Sequence, residues 1–294
     1  MVQGPKESRN QHFVPRFLLR PWIIEVAPGQ RKLVGYYRDP RTKKIRQKIR
    51  GVSGFCTQLD LLTLSGHRLG RDAVERIFFG HIDTSGAGAR DILVQDGVSE
   101  LTVEQRRDFA RLLLSLDMRR PVVVAKLRTE VRQHLASELD DDPEIRAALD
   151  SQGIEEAPSH YVETQLRWSL EDRALAIIQK LVDNPAVGGW LINAQWYVRA
   201  LEARDANLIL SDRPLIRILG IQHPNSTWVL PLSPRHAFIA SNNAAIVHKL
   251  RDLPSRKFVR AVNTSGALQA ERYVFSTTAP RESWRKFFRP LSGE

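Results

Sequence analysis

The chain has 294 residues, 42% of them hydrophobic and 26% charged, which is an ordinary balance for a globular protein. This composition excludes a collagen-like chain, a disulfide scaffold and global disorder, because enough apolar surface is present to offset chain entropy. Lys and Arg number 44 against 33 Asp and Glu, so the net charge is +11.

The positive charge is concentrated at the two ends of the chain. Residues 1–50 hold 13 Lys and Arg against 3 Asp and Glu, residues 251–294 hold 9 against 4, and the middle is mildly acidic. This asymmetry favours an anionic partner, with nucleic acid first, although exposed solubilising charge gives the same pattern.

The predicted elements begin after a polar, flexible basic tail at residues 1–10. A Thr102–Gln105 capping box opens the longest helical segment, and Pro121 divides that segment in two. In chain order we predict a hairpin with strands at 33–38 and 44–50, helices at 72–79, 102–120, 121–139, 144–149 and 161–182, strands at 194–201, 207–210, 227–232 and 237–241, a helix within 256–270, a strand at 273–275 and a basic helical turn at 281–288. Residues 85–88 are glycine-rich, and residues 152–159 are the most linker-like.

Strands, then helices, then strands again favour an α+β fold over an alternating α/β one. We predict a single α+β domain over residues 11–294, with a helical subregion at about 70–185 inserted between the N-terminal hairpin and a mixed or antiparallel sheet at about 190–276. The hairpin is too small to bury a core alone, so we expect it to join the C-terminal sheet and bring the two basic ends together.

The second predicted strand carries a basic strip. Lys44, Arg46, Lys48 and Arg50 alternate with apolar Ile45 and with other residues, which places the four cations on one face. The pattern is typical of a charged edge strand that resists aggregation, and equally of a surface that follows a phosphate backbone.

His12 lies in the apolar segment Gln11-His12-Phe13-Val14-Pro15. An imidazole held in place by its neighbours suits a general base or acid, because its ordinary pKa of about 6.5 is near neutrality. Arg16, one helical turn later, is placed to stabilise an oxyanion or a phosphate. A partly buried structural histidine is the alternative.

Ser211-Asp212-Arg213-Pro214 follows the apolar run that ends at Leu210. A polar pair at the end of a buried strand is a usual position for functional groups, and Asp212 could orient a histidine or hold a metal. Ser211 and Arg213 are candidates for substrate binding. The alternative is a turn in which Ser and Asp bond their own backbone.

Arg119 lies at the break between two apolar helices, where a charged side chain is costly unless it is paired or solvated. We predict that it faces a polar pocket, with Asp117 or Asp212 as candidate partners; a surface cap is the alternative.

Several classes of protein are disfavoured by absent motifs. The chain has no Walker loop, no Gly-x-Ser-x-Gly elbow, no His-Glu-x-x-His and no Cys-x-x-Cys, and Cys56 is its only cysteine. No strong motif indicates a cofactor, although Asp212 would be compatible with a divalent metal. The chain shows no apolar signal core near its start and no apolar run of about 18 residues, so we expect a cytoplasmic protein without a membrane partner.

Five short segments, in order, resemble the DUF4238 family. Its paired signatures are H-[YF]-V-P, matched at residues 12–15, and S-D-N-P, matched at 211–214 with Arg213 in place of Asn. Residues 109–121, 229–234 and 270–276 resemble its further motifs. The family is of uncharacterised function, so the resemblance implies an element order and the positions of a site, and no reaction. The Asn-to-Arg change puts any chemistry that depends on that Asn in doubt.

Two classes of function remain open. The first is a nuclease-like hydrolase that acts on a phosphodiester or another anionic substrate, with His12 as base or acid, Asp212 as its orienter or a metal ligand, and Arg119 or Arg16 as charge stabiliser. The second is a non-catalytic protein that binds nucleic acid through Lys44, Arg46 and Lys48, or a module for a small anionic ligand.

Overall fold

The computed structural model describes residues 9–65 and 69–279. The described chain forms two compact units: the first comprises residues 9–11, 58–65, 69–81 and 118–183, and the second comprises 12–57, 82–117 and 184–279. Most of the predicted N-terminal tail and all of the basic turn predicted at 281–288 lie outside the described residues.

The fold is α+β, as the order of predicted elements indicates. The strands are β1 Asn10–His12, β2 Ile23–Ala27, β3 Gln30–Arg38, β4 Ile45–Arg50, β5 Thr57–Leu59, β6 Gln195–Ala200, β7 Leu210–Ser211, β8 Ile216–Ile218, β9 Thr227–Ser233, β10 His236–Ser241 and β11 Val274–Phe275. The helices are α1 Arg16–Leu19, a π-helix at Val74–Phe79, α2 Gly80–Gln95, α3 Val103–Met118, α4 Pro121–Asp140, α5 Pro143–Asp150, α6 Pro158–Thr164, α7 Arg173–Val182, α8 Pro185–Asn193, α9 Ala244–Asp252 and α10 Ser255–Gln269.

The larger sheet of the second unit combines both ends of the chain. β3 pairs with β4 along one edge and with β2 and β11 along the other, and β11 pairs in turn with β7. Every pairing is antiparallel. The N-terminal hairpin is therefore part of a sheet that also contains the strand leading into Asp212.

Helix α10 packs against both large sheets of this unit. Its first half contributes Phe258, Val259 and Val262 to a core with the four-stranded sheet β6-β10-β9-β8. Its second half contributes Ala267, and its C-cap residue Ala270 joins the same core with the five-stranded sheet. One helix thus fixes the position of the loops at the ends of both sheets.

Gly35 allows a close approach inside the five-stranded sheet. A Cβ at this position would lie 2.7 Å from the Phe55 ring and 3.1 Å from that of Phe275. Because residue 35 of β3 is a glycine, the aromatic rings of Phe55 and Phe275 can approach this face of the sheet closely.

Of the helical segments considered next, one prediction was wrong, that of a continuous helix at 161–182. The glycine-rich residues 85–88 lie within α2, and Gly86 packs closely on Leu112, since a Cβ at position 86 would lie 3.0 Å from that side chain. The helix predicted at 161–182 is broken between α6 and α7, where Arg167 adopts a left-handed φ of 54°. The predicted helix end before Asn184-Pro185 is confirmed, since α7 ends at Val182; Asn184 also begins α8, because its side-chain Oδ1 accepts from the amides of Ala186 and Val187.

The capping box at Thr102 and Gln105 is confirmed. The Gln105 amide donates to Thr102 Oγ1 at 3.2 Å, and the Thr102 amide donates to Gln105 Oε1 at 2.9 Å. In residues 9–65 and 69–279, none of the helices combines the length and apolar content needed to cross a membrane.

Candidate functional site

The Asp212 carboxylate is bound by three backbone amides from the end of the chain. Glu271 N donates to Oδ1 at 2.9 Å, and Arg272 N and Tyr273 N donate to Oδ2 at 2.7 and 2.8 Å. The Asp212 amide completes the arrangement by donating to Tyr273 O at 3.0 Å. We call this arrangement the Asp212 clamp; it joins the end of β7 to the turn between α10 and β11.

The neighbours of Asp212 fasten the same turn through backbone atoms. Ser211 Oγ and Gln269 Nε2 both donate to the carbonyl oxygen of Arg213, and Gln269 also donates to Leu215 O at 3.2 Å. These two bonds are made to the backbone carbonyl of residue 213, which every residue type provides. They are therefore compatible with Arg in place of the usual Asn.

Burial controls the charge state of Asp212. Removal from water raises the pKa of its carboxyl to about 6, and the three backbone amides oppose this shift. Both oxygens are already engaged in fastening the chain. The alternative of a structural turn thus has direct support in the hydrogen bonds, while the catalytic role of Asp212 stays a prediction.

Cys56 connects the two signature segments in space. The Phe13 amide donates to Cys56 O at 3.0 Å, and burial together with the nearby charge of Asp212 raises the pKa of the Cys56 thiol well above its ordinary value. A buried thiol with a raised pKa is a poor nucleophile. The Cys56 side chain is thus a buried, unreactive thiol, and its backbone is bonded to Phe13.

His12 is half-buried at the end of β1 and contacts Arg16. Arg16 Nε donates to His12 Nε2 at 3.3 Å, and Arg16 itself is exposed at the start of α1. The lone pair of Nε2 accepts this bond, so His12 could act as a general base through Nε2 only when Arg16 moves away. The predicted proximity of these two residues is thus present, and their chemical roles stay predictions.

Arg119 belongs to the first unit, whereas His12 and Asp212 belong to the second. It is almost fully buried, and its guanidinium carbon lies 5.1 Å from the centre of the Phe79 ring. Asp117, one of its predicted partners, forms an ion pair with Arg217 at 3.0 Å within the second unit. The role of Arg119 in a site stays a prediction.

The basic strip lies on β4, an edge strand that pairs only with β3 among the described strands. The strand begins at Ile45, so Lys44 lies just before it, in the turn. Arg46 forms an ion pair with Asp39 at 2.9 Å. Lys44, Lys48 and Arg50 have no carboxylate within ion-pair distance in the part of the chain described by the structure.

Asp39 shapes the tip of this hairpin. Its Oδ1 accepts from the amides of Arg41 and Thr42 at 3.0 and 2.9 Å, and its backbone carbonyl accepts from Lys43 N at 2.8 Å. These amides, first that of Thr42, hold the pKa of the Asp39 carboxyl below its ordinary value. The acid is thus committed to the turn and to Arg46, and the tip presents cations.

Tyr273 lies between the basic strip and a further cation, Arg272. Lys48 Nζ lies 5.8 Å from the centre of the Tyr273 ring and donates to its hydroxyl at 3.4 Å, while the Arg272 guanidinium lies 5.2 Å from the same ring. Arg272 escaped the sequence reasoning because it lies more than 220 residues from Lys48 along the chain. The motif at 270–276 contained Arg272 without indicating its neighbours.

We searched the described residues for clusters of side chains that could bind a metal ion. Residues 9–65 and 69–279 contain no group of three or more His, Cys, Asp or Glu side chains arranged to hold an ion.

Comparison with known proteins identifies the family of this chain. No curated protein and no solved structure matches the chain. The model of the family described as "Protein of unknown function (DUF4238)" matches residues 10–280. That match includes both signature segments, the basic hairpin and the Asp212 clamp, and the chain belongs to the DUF4238 family.

Proposed function

We propose that this protein binds nucleic acid through the basic surface of the β3–β4 hairpin. The observation that carries the proposal is the charge of residues 30–50, which hold nine Lys and Arg residues and a single acid, Asp39. Because Asp39 is used within the hairpin, the excess positive charge is available to an outside anion.

The spacing of these cations suits an extended polyanion. Alternate residues of a β-strand lie about 7 Å apart, so Arg46, Lys48 and Arg50 form separate contacts along a line. Arg46 and Arg50 are exposed and Lys48 is half-buried, and all three belong to an edge strand that is accessible from the side. A line of cations supports contact with successive phosphates, which is a sequence-independent mode of binding.

Tyr273 supports this surface without serving as a stacking platform. Its ring is buried among Tyr37, Phe55 and Phe275, so a nucleobase has no access to its face. Instead the ring orients Lys48 and Arg272 beside it. We therefore expect affinity to depend on salt far more than on base sequence.

The test is a fluorescence-anisotropy titration of the full chain with labelled single-stranded and duplex DNA over a range of salt concentrations. The Lys44/Arg46/Lys48→Ala variant should lower the slope of log K against log salt by about 2 for a single strand, because each lost phosphate contact contributes about 0.7. The matched control, Arg107/Lys249/Lys257→Ala, removes the same charge from exposed helical positions and should leave the slope nearly unchanged. An equal decrease of the slope in the two variants would show that the effect depends on net charge alone and would contradict the proposal.

A hydrolase built on His12 is the second proposed function. It is supported by the position of the His12 imidazole beside the guanidinium of Arg16, which could stabilise a developing negative charge. In a nuclease assay with added magnesium, His12→Ala should abolish turnover while anisotropy still reports binding. The exposed His248→Ala is the control. If the wild-type chain binds DNA but cleaves none, the hydrolase proposal is contradicted and only the binding function remains.

A further inference from the structure

We propose that a second site, separate from the hairpin, binds a small phosphorylated molecule in a cavity beside α10. The cavity has a volume of about 520 Å³, within the range of small-molecule sites. It lies within the second unit and is formed by the loop at 204–209, one face of α10 and the residues that follow β11. We call it the arginine cavity.

The helix contributes two cations and an apolar wall from one face. Arg256, Val259, Arg260 and Asn263 follow the spacing at which side chains share a face, and all four line the cavity. Arg256 and Arg260 are exposed, one turn apart. Two guanidinium groups at this separation can bind the same doubly charged group, and their planar donor arrays match phosphate oxygens.

A rigid floor holds the loop against the helix. Asn263 Oδ1 accepts from Ile209 N and Asn263 Nδ2 donates to Asn207 O, both at 3.0 Å. Ile209 and Val259 are buried beside these bonds. The floor is thus formed before any ligand arrives, which reduces the ordering cost of binding.

The charge of the cavity is positive on the side of the helix. Arg256 and Arg260 have no carboxylate within ion-pair distance in the part of the chain that the structure describes. On the opposite wall, Arg204 pairs with Glu202 at 2.8 Å, and Asp205 accepts from the Glu202 amide at 3.0 Å. An anion therefore enters against α10, and the acids of the loop disfavour a larger polyanion across the whole opening.

Hydroxyl groups after β11 complete the polar lining. Ser276 Oγ accepts from Thr278 N at 3.2 Å and lies 3.5 Å from Thr278 Oγ1. The Thr278 side chain is exposed at the cavity and can donate to a phosphate oxygen. Guanidinium groups, a hydroxyl and an apolar floor together fit a phosphate ester that has a compact organic part.

The experiment is isothermal titration calorimetry on the full chain with three probes: inorganic pyrophosphate, adenosine monophosphate and citrate. Arg256/Arg260→Gln should weaken the phosphate probes by about tenfold or more, because charge-assisted hydrogen bonds are lost. Lys257→Gln removes a cation from the same turn of α10 at a position that does not line the cavity, and should change affinity by less than about twofold. Circular dichroism of each variant checks that the exposed substitutions leave the fold intact.

Four results would overturn the proposal. The first three are the absence of binding by both phosphate probes, tighter binding of citrate than of either probe, and equal weakening by Lys257→Gln. The site is also independent of the hairpin, so Lys44/Arg46/Lys48→Ala should bind pyrophosphate as the wild type does. Loss of pyrophosphate binding in that variant would assign the ligand to the hairpin and reject the arginine cavity.

Discussion

Asp39 and Asp212, both in the second unit, use their carboxylates in the same way and in opposite surroundings. Asp39 is at the hairpin tip and accepts from amides two and three residues along the chain. Asp212 is buried and accepts from amides 59 to 61 residues along the chain. The pKa of the first carboxyl is lowered, chiefly by the Thr42 amide, whereas burial raises that of the second to about 6.

The difference teaches that similar hydrogen bonds do not give similar electrostatics. Amide donors stabilise a carboxylate in both places, yet at Asp212 the cost of removing the charge from water is larger than that gain. The exposed turn can exchange its bonds for water, and the buried clamp cannot. The two residues should therefore respond differently to substitution and to pH.

The largest expected effect comes from removing the buried clamp. Asp212→Ala leaves three amides without their acceptor, and each buried unsatisfied donor costs about 1–3 kcal/mol, so we expect a loss of about 3 kcal/mol or more in the free energy of unfolding. Urea denaturation measures it. Asp212→Asn keeps one carbonyl oxygen and should lose less, while Asp39→Ala should change stability little. A loss below about 1 kcal/mol in Asp212→Ala would show that water satisfies these amides.

The next effect is a pair of opposite pH dependences. The pKa of Asp212 rises from 3.8 to about 6 on folding, so the folded state takes up the proton first and stability increases as pH falls from 7 towards 4, by up to about 1.4 kcal/mol per pH unit. The pKa of Asp39 is lowered, so its contribution is present above 3.8 and is lost as pH falls through the lowered value.

Denaturant midpoints of the wild type, Asp212→Asn and Asp39→Asn, measured from pH 7 to pH 3, separate the two contributions. Between pH 7 and pH 4, the stability of the wild type should increase relative to that of Asp212→Asn. Any excess stability of the wild type over Asp39→Asn should be lost only below pH 4. Parallel curves for the wild type and Asp212→Asn would contradict a raised pKa at the clamp.

The smallest effect is a gain in binding at the hairpin. Asn at position 39 can still accept from the amides of the turn, but it removes the one acid of residues 30–50 and frees Arg46 from its ion pair. We expect Asp39→Asn to bind DNA a few fold more tightly at low salt in the anisotropy assay, with the gain lost at high salt. Glu25→Gln is the control, because Glu25 also accepts from a turn amide, that of Gly29, outside the hairpin. An equal gain in both variants would point to net charge alone.

The sequence by itself determined the features whose causes are local. The hairpin, the basic strip and the capping box at Thr102 depend on alternation, turn residues and spacings of a few positions, and the structure contains all three. The order of elements likewise indicated the α+β class, since amphipathic patterns are readable without knowledge of contacts.

The tertiary structure alone decided the partners of residues that are distant along the chain. The amides that donate to Asp212 come from residues 271–273, and the arginine cavity joins residues 204–209 to α10 and the end of β11. Gly86, whose local preference disfavours a helix, lies within α2 and packs against Leu112. Dehydration and packing depend on which segments meet, and a single sequence carries that information only through the fold as a whole.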